Sequence, residues 1–311
     1  MAVLVTVVFW NVENFFGDRP YFYAKCNGIA KTVMEMADKE GGMPDIIALA
    51  EVGDRKVLER LVFTTALRKF DYRIVHYDSP DKRGIDCALL YRKSSLRKIG
   101  SKPCHLYDST GAVMNTRDIL LCQFDSLTIL VNHHPSKVGQ GGNGRRRIAM
   151  DRMNALCDSL ENEGVRKILC VGDFNDNLWG PFTQGTIKYN GEWEKIDGHF
   201  SRGLHVSEKV FVSPFLLTKD SKFGGQKPLR SFSGPRWLGG LSDHLPLIFE
   251  TKPYIHFPAD KHSCVPPRRE NTVGKGSALK KSVDFTDNNS NFASEVRLKS
   301  KTQDNEHIQR F

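Results

Sequence analysis

The sequence predicts an α/β domain whose sheets are mixed or antiparallel. Residues 3–10 and 45–50 are almost uninterrupted apolar runs, which is typical of strands buried on both faces. Apolar residues recur at helical spacing at 24–39 and 148–162. Residues 72–131 instead hold short β-like runs between turn residues, which indicates a β-meander and not a series of strand–helix crossovers.

The N-terminal part is expected to alternate strand and helix. The first strand, Val3 to Trp10, is predicted to end at the polar cluster Asn11-Val12-Glu13-Asn14. A helix over 24–39 follows, because its apolar residues lie on one face and Gly41, Gly42 and Pro44 stop it. The second strand, 45–50, ends at Glu51, and a second helix is expected over 54–67.

The middle and C-terminal parts add a meander, a helix and further strands. The meander strands are predicted at 72–76, 87–91, 96–99, 119–124 and 127–131. A glycine-rich basic loop over 139–147 is expected before the helix at 148–162. An apolar strand then reaches Asp173, and later strands are predicted near 210–212 and at 247–250.

The length suits one large domain or two ordinary ones, the composition predicts that most of the chain is globular, and the charge favours a polyanionic partner. The 311 residues are 40% hydrophobic, and the formal net charge is +9. Residues 252–311 hold 11 Lys+Arg and 7 Asp+Glu, which leaves +4 there and +5 for the rest. We therefore expect a catalytic domain over 1–253 and a flexible basic extension over 254–311, either a nucleic-acid-binding arm or a solvated tail.

The cysteines and the N-terminus predict a cytoplasmic chain. Seven cysteines are scattered singly without a Cys-x-x-Cys pair, which is typical of reduced thiols and not of a zinc site or a disulfide framework. Residues 1–10 lack a basic region and a cleavage signal, and the sequence has no transmembrane stretch.

Polar side chains occur where five apolar runs end. They are Asn11, Glu51, His133, Asp173 with Asn175, and Asp243 with His244. Any one of them is explained by an ordinary strand-to-loop exit or helix cap. Together they predict a cation site at a sheet edge, and carboxylate oxygens without clustered cysteines favour Mg²⁺ or Mn²⁺ over Zn²⁺. Histidines beside such a cation, and Lys137 and Arg145 from the basic loop, suit hydrolysis of a phosphate ester.

The order of these motifs resembles the endonuclease/exonuclease/phosphatase superfamily. That family includes pancreatic deoxyribonuclease, exonuclease III type abasic endonucleases, neutral sphingomyelinases and inositol polyphosphate 5-phosphatases. The resemblance covers about residues 3–250, and within the family the sequence looks most like bacterial members. It rests on Trp10-Asn11-Val12-Glu13-Asn14, Leu49-Ala50-Glu51-Val52, Asn132-His133-His134-Pro135-Ser136, Gly172-Asp173-Phe174-Asn175 and Ser242-Asp243-His244.

The resemblance implies a four-layer α/β sandwich with two central mixed sheets flanked by helices. It implies that Glu51 is a principal metal ligand, with Asn11 and Asp243 contributing to the metal site and to substrate positioning. It also implies catalytic roles for His244 oriented by Asp197, for Asp173 with Asn175, and for His133 in preference to His134. Asp197 lies in Lys195-Ile196-Asp197, which is similar to the family's Ile-Asp motif but continues with Gly198-His199, where the family often has an aromatic residue.

These expectations leave three functional hypotheses. The first is a Mg²⁺-dependent phosphodiesterase that cleaves nucleic acid with an activated water. The second keeps the chemistry but acts on a small substrate such as an inositol phosphate or a sphingolipid. The third is an inactive nucleic-acid-binding scaffold, against which the presence of every expected catalytic residue argues.

Overall fold

The computed structural model describes residues 5–19, 21–137, 142–177 and 185–253. All of them belong to the first of two compact units, Met1–Val265, and the predicted extension over 254–311 lies outside the described residues. No helix among the described residues is both long enough and apolar enough to cross a membrane.

The described residues form three α-helices and seventeen strands. The helices are α1 (Phe22–Glu40), α2 (Arg55–Thr64) and α3 (Gly142–Asn162). The strands are β1 (Val5–Phe15), β2 (Ile46–Val52), β3 (Tyr72–His76), β4 (Asp86–Arg92), β5 (Lys98–Cys104), β6 (Ile119–Phe124), β7 (Thr128–His133), β8 (Ile168–Asp173), β9 (Ile187–Tyr189), β10 (Glu192–Glu194), β11 (Asp197–Arg202), β12 (Leu204–Val210), β13 (Leu217–Lys219), β14 (Gln226–Pro228), β15 (Phe232–Ser233), β16 (Arg236–Trp237) and β17 (Leu247–Pro253).

Two large mixed sheets carry the fold. The first sheet has the strand order β12-β17-β1-β2-β4-β3, and the second has the order β11-β8-β7-β6-β5. Each contains one parallel pair, β1 with β2 and β7 with β8, while the other neighbours run antiparallel. The prediction of mixed sheets is therefore confirmed.

Three apolar cores separate four layers. One core lies between α1, α2 and the first sheet, a second between the two sheets, and a third between the second sheet and α3. In the middle core, Phe9, Ala48 and Phe249 of the first sheet face Ile129 and Val171 of the second. The layer order helix–sheet–sheet–helix agrees with the four-layer sandwich that the resemblance implies.

Several element boundaries differ from the predictions. β1 continues through Asn11-Val12-Glu13-Asn14, because Asn11 and Glu13 find hydrogen-bond partners inside the fold. The basic loop predicted over 139–147 is wrong from Gly142 onward, since α3 begins there, six residues before the predicted start. The strand predicted near 210–212 corresponds to β12, which already ends at Val210. The strand predicted at 96–99 corresponds to β5, which begins only at Lys98.

The helix boundaries have local causes. Asp54 caps α2, because its side chain accepts a hydrogen bond from the backbone N–H of Val57. α1 ends at Gly41, whose φ of 76° lies in the left-handed region that a residue without Cβ adopts at little cost. Buried Ile29, Val33 and Met36 pack α1 against the first sheet, and burial of each stabilises the fold by about 1.5–3 kcal/mol.

Candidate active site

Four of the predicted site residues lie toward the carboxyl ends of the two parallel strand pairs. In the first sheet, Asn11 of β1 lies opposite Ala50 of β2, and Glu51 follows directly. In the second sheet, His133 of β7 lies opposite Asp173 of β8. Because the two sheets stack face to face, these ends face each other across one edge of the sandwich.

Asn11 joins the carboxylates of the two sheets. Its Nδ2 atom donates hydrogen bonds to Asp173 Oδ2 at 3.0 Å and to Glu51 Oε1 at 3.3 Å. Its Oδ1 atom accepts a hydrogen bond from the backbone N–H of Glu13 at 3.0 Å, which fixes the orientation of the amide. Asn11 therefore holds two acidic side chains close together, and its role as a metal ligand stays a prediction.

His244 forms a buried pair with Asp197. His244 Nδ1 lies 2.8 Å from Asp197 Oδ2, an oxygen that also accepts a hydrogen bond from the Thr186 hydroxyl. On the other side of the imidazole, Nε2 lies 4.0 Å from Asp173 Oδ2. Asp197 is directly opposite Asp173 in the β8–β11 ladder, so the strand register brings both carboxylates to His244.

The Ser242-Asp243-His244 turn is attached to β1. The Ser242 hydroxyl donates to the backbone carbonyl of Asn11 at 2.6 Å and accepts from the backbone N–H of His244 at 3.0 Å. The indole N–H of Trp10 donates to the carbonyl of His244 at 2.9 Å. These contacts explain why the serine precedes the Asp-His pair, since it ties the histidine to the strand that carries Asn11.

The two neighbouring histidines have different surroundings. His133 Nε2 lies 3.7 Å from Asp173 Oδ2 and 3.9 Å from Glu51 Oε1, so His133 faces the acidic side chains. The ring of His134 instead packs edge-on against Phe174, with centroids 5.0 Å apart. Its carbonyl accepts a hydrogen bond from Asn175 Nδ2 at 2.9 Å. His133 therefore faces the acidic side chains and His134 does not, and the catalytic role of His133 stays a prediction.

Left-handed backbone conformations cluster around the site. Seven described residues other than glycine have positive φ, and four of them are Glu13 (43°), Asn14 (52°), Glu51 (63°) and Asn175 (52°). Such conformations are strained for residues with a Cβ atom and are held only where the surroundings determine them. Here the hydrogen bond from Asn14 N–H to Glu51 Oε2, at 2.8 Å, and that from Asn175 N–H to Asp173 Oδ1, at 2.9 Å, supply that restraint.

Gly172 allows the two central strands of the second sheet to approach closely. A Cβ atom at Gly172 would lie 2.4 Å from the carbonyl oxygen of Asn132 and 2.6 Å from its Cβ atom. The glycine before Asp173 is therefore needed to bring β8 against β7, which sets the position of Asp173 relative to His133.

Burial and mutual repulsion perturb the acidic groups. Burial, and then the charge of Asp197, raise the pKa of Asp173 to about 7. Burial alone would lower the pKa of His244, but the charge of Asp197, its hydrogen bond and the charge of Asp173 raise it well above its usual value. Burial and then Arg117 lower the pKa of His133 well below its usual value. At neutral pH His244 is therefore an imidazolium cation, whereas His133 is a neutral imidazole.

The donor set suits a hard divalent cation. Glu51 and Asp173 approach the same amide nitrogen, and among the described residues no lysine or arginine contacts either carboxylate. Burial and the neighbouring charge of Asp197 raise the pKa of Asp173, as expected for a buried carboxylate beside a second one. Ligand atoms of Asp173, Asp197 and His244 also lie within 4.8 Å of one another. However, a protonated His244 already supplies a cation between those two aspartates, so Glu51 is the better anchor for a metal.

A charged cluster that the sequence did not predict borders the site. Arg230 donates to Glu13 Oε1 from Nη2 at 2.8 Å and lies 3.4 Å from Asp243 Oδ2. Lys25 of α1 is buried and donates to the Ser231 hydroxyl at 2.6 Å and to the Glu13 carbonyl. Burial lowers the pKa of Lys25 to about 8. A lone lysine in a helix and an arginine in a turn give no sequence signal for this placement, although Glu13 belongs to the polar cluster after Trp10.

The two predicted substrate-binding cations lie in different surroundings. Lys137 Nζ pairs with Glu194 Oε2 at 2.7 Å on the surface. Arg145, in the first turns of α3, donates to the carbonyl of Asn115 at 2.8 Å and lines a pocket with other cationic side chains. Their roles in substrate binding stay predictions.

A family-level sequence comparison agrees with this arrangement. The sequence profile of the Endonuclease/Exonuclease/phosphatase family matches residues 14–200. No curated protein sequence matches the chain significantly.

Several solved structures share the fold at low sequence identity. An endonuclease/exonuclease/phosphatase family protein from Bacteroides thetaiotaomicron has a TM-score of 0.56 at 14% identity, covering 84% of this chain and 99% of that one. The human Nocturnin catalytic domain with bound sulfate has a TM-score of 0.53 at 16% identity, covering 81% and 98%. D. rerio TDP2 complexed with a single-strand DNA product has a TM-score of 0.51 at 13% identity, covering 80% and 99%.

Proposed function

The chain belongs to the endonuclease/exonuclease/phosphatase family of metal-dependent phosphoester hydrolases, and from this premise we propose that it is a Mg²⁺-dependent phosphodiesterase that cleaves nucleic acid. The observation that carries the proposal is the convergence of Asn11, Glu51, His133, Asp173 and the Asp197–His244 pair at one edge of the sandwich.

Glu51 is the proposed anchor of the cation, with Asn11 and Asp243 as the further ligands that the motif order implies. Reorientation of the Asn11 amide would be needed for its oxygen to face the metal, because Oδ1 now accepts the Glu13 N–H. When bound, the cation would polarise a phosphoryl oxygen and neutralise charge that develops in the transition state.

Asp173 is the proposed general base. Its pKa is about 7 without metal and would be lower with the cation bound, which keeps the carboxylate ionised and able to accept a proton. The Asn175 N–H fixes its Oδ1 atom. Asp173 would accept a proton from the water that attacks phosphorus, while the bond from phosphorus to the leaving oxygen breaks.

His244 and His133 are proposed to contact the phosphate in different protonation states. Asp197 holds His244 as an imidazolium, which can stabilise the added negative charge and donate a proton to the leaving oxygen. His133, whose pKa is lowered, would contact the scissile phosphate as a neutral imidazole. Asn175, fixed by its bond to the His134 carbonyl, would bind a phosphate oxygen.

Three observations support nucleic acid as the substrate class. The formal net charge is +9, a pocket lined by Arg145 and other cations adjoins the site, and TDP2, a protein of the same fold, has been solved with a single-strand DNA product. A cytoplasmic location is part of the proposal, because the six cysteines among the described residues are free thiols. The extension over 254–311 is proposed to be a separate basic segment.

The test is Mg²⁺- and Mn²⁺-dependent cleavage of a substrate panel. The panel holds duplex DNA, single-stranded DNA, abasic DNA, RNA and inositol phosphates, with Glu51→Gln and the matched surface variant Glu59→Gln beside the wild type. We expect nucleic-acid cleavage by the wild type and by Glu59→Gln, and loss of it in Glu51→Gln. Turnover of inositol phosphates alone would refute the nuclease assignment, and no turnover by folded protein would refute the proposed phosphodiesterase activity.

A further inference from the structure

A cationic pocket adjoins the candidate active site. It has a volume of about 300 Å³, and its charged lining residues are Asp81, Lys82, Arg83, Arg117 and Arg145. Four of these side chains are cations and one is an acid. A pocket with that balance attracts an anion.

The single acid of this pocket is already neutralised. Arg83 donates to both carboxylate oxygens of Asp81 at 3.2 Å, and Arg117 Nη1 lies 3.4 Å from Asp81 Oδ2. Although burial alone would raise the pKa of Asp81, its bonds to Arg83 lower it, so the carboxylate is ionised at neutral pH. Within the described part of the chain, Lys82 and Arg145 have no carboxylate partner, and their charges remain uncompensated.

Arg117 supplies a buried donor that the fold does not use. Its side chain is only 6% exposed, and Nε has no hydrogen-bond partner among the described residues. A buried guanidinium N–H without an acceptor is costly, unless a ligand or water provides one. Because Arg117 lines the pocket, an anion bound there can supply the missing acceptor.

Arg117 also connects the pocket to the candidate catalytic residues. Its Nη2 donates to the carbonyl of His134 at 2.7 Å, and Asn175 Nδ2 donates to the same oxygen at 2.9 Å. One carbonyl thus separates the pocket from the asparagine proposed to bind the scissile phosphate. On another wall, the first turn of α3 approaches the chain closely, since a Cβ atom at Gly142 would lie 2.8 Å from the Ser136 carbonyl.

We propose that this pocket binds a second phosphate group of the substrate, the one next to the scissile phosphate along a nucleic-acid strand. The inference rests on the proposed function and deepens it, because it makes the preferred substrate a chain with at least two phosphodiesters. A substrate with a single phosphodiester fills the catalytic centre but leaves Lys82, Arg117 and Arg145 without a phosphate.

The first experiment compares a dinucleotide, which has one phosphodiester, with a trinucleotide, which has two. The wild type is compared with Lys82→Gln/Arg145→Gln and with the surface control Arg68→Gln/Lys69→Gln, which removes the same charge outside the pocket. We expect the wild type and the control to prefer the trinucleotide in kcat/KM. In the pocket variant, the ratio of kcat/KM for the trinucleotide to that for the dinucleotide should fall about tenfold, which corresponds to the loss of one charge-assisted contact. An unchanged preference in the pocket variant overturns the inference.

The second experiment measures binding without hydrolysis. The Kd of a fluorescein-labelled single-stranded oligonucleotide is measured by anisotropy in EDTA over a range of salt concentrations. Loss of one phosphate contact is expected to reduce the slope of log Kd against log salt by about 0.7 in the pocket variant but not in the surface control. Equal slopes in both variants refute the pocket. Because this assay needs no turnover, it separates failure of the pocket from failure of the proposed hydrolysis.

Discussion

Replacing Asp197 by Asn tests the electrostatic role of the pair with His244. The substitution keeps a side chain of nearly the same shape, and the new amide oxygen can still accept from His244 Nδ1. What is lost is the negative charge that holds the imidazolium. Both partners are almost fully buried, and removing one charge of a buried pair costs about 3–5 kcal/mol.

The cost is expected to depend on pH. The pKa of His244 is raised in the folded protein above the unfolded value of about 6.5. The stability that the pair contributes is therefore fully present below pH 6.5 and is lost as the pH rises through the folded pKa of His244. The difference between the wild type and Asp197→Asn should be largest at acidic pH and should shrink at alkaline pH.

Urea unfolding in EDTA from pH 5 to pH 9 measures this difference. Asp158→Asn is the matched control, because Asp158 pairs with Arg202 on the surface with its side chain 66% exposed, where such a pair contributes little. A difference between wild type and Asp197→Asn that is constant or grows with pH would show that His244 is not held as an imidazolium. The same variant should lose most of its kcat, since its histidine is neutral at the pH of the assay.

Three further predictions concern the site and its supports. In a thermal unfolding assay, Gly172→Ala should destabilise the protein by about 1–3 kcal/mol, because the added Cβ atom overlaps Asn132. The control Gly100→Ala should cost much less, because its Cβ atom would lie 3.6 Å from its nearest neighbour. Asp54→Ala should cost about 1 kcal/mol by removing the α2 cap, measured by urea unfolding; no loss would show that the cap is dispensable. Glu51→Gln should weaken Mg²⁺ binding in calorimetry at least tenfold, and unchanged affinity would remove Glu51 as the anchor.

Apolar periodicity predicted the fold well where the period was strong. The strands of the β-rich region and the helices α1 and α2 lie within a few residues of their predicted positions. Local apolar periodicity was therefore sufficient to predict these elements. The start of α3 could not be predicted in this way. Its first six residues include Gly142, Gly144 and three arginines, which have a loop-like composition. In the structure they are helical, and Gly142 lies close to the backbone carbonyl of Ser136.

The structure brings together polar residues that the sequence placed at strand ends, but most of their contacts could not be predicted from the sequence. Polar residues at strand ends identified Glu51, His133 and Asp173, because a strand-end position is visible in the sequence. The pairing of Asp197 with His244, which only the family resemblance implied, joins residues that lie 47 positions apart in the sequence. The β8–β11 register places Asp197 opposite Asp173, and no local pattern shows that register. Lys25 and Arg117 gave no signal, because a cation in an amphipathic segment is normally a solvated residue and only tertiary packing buries it.

The distribution of fixed charges supports the proposed cation site at Glu51. Arg230 and Lys25 compensate Glu13 and the neighbouring Asp243, and His244 compensates Asp197. The neutral Asn11 amide joins Glu51 to Asp173, and no lysine or arginine among the described residues forms an ion pair with either carboxylate. His244 lies 4.0 Å from Asp173 and is shared with Asp197, while His133 beside the two acids has a lowered pKa. Mg²⁺ bound there would neutralise the negative charge of these carboxylates. The bound Mg²⁺ would also lower the pKa of Asp173. Removing Mg²⁺ with a chelator should therefore raise this pKa toward its metal-free value of about 7, which infrared titration of the carboxylate would measure.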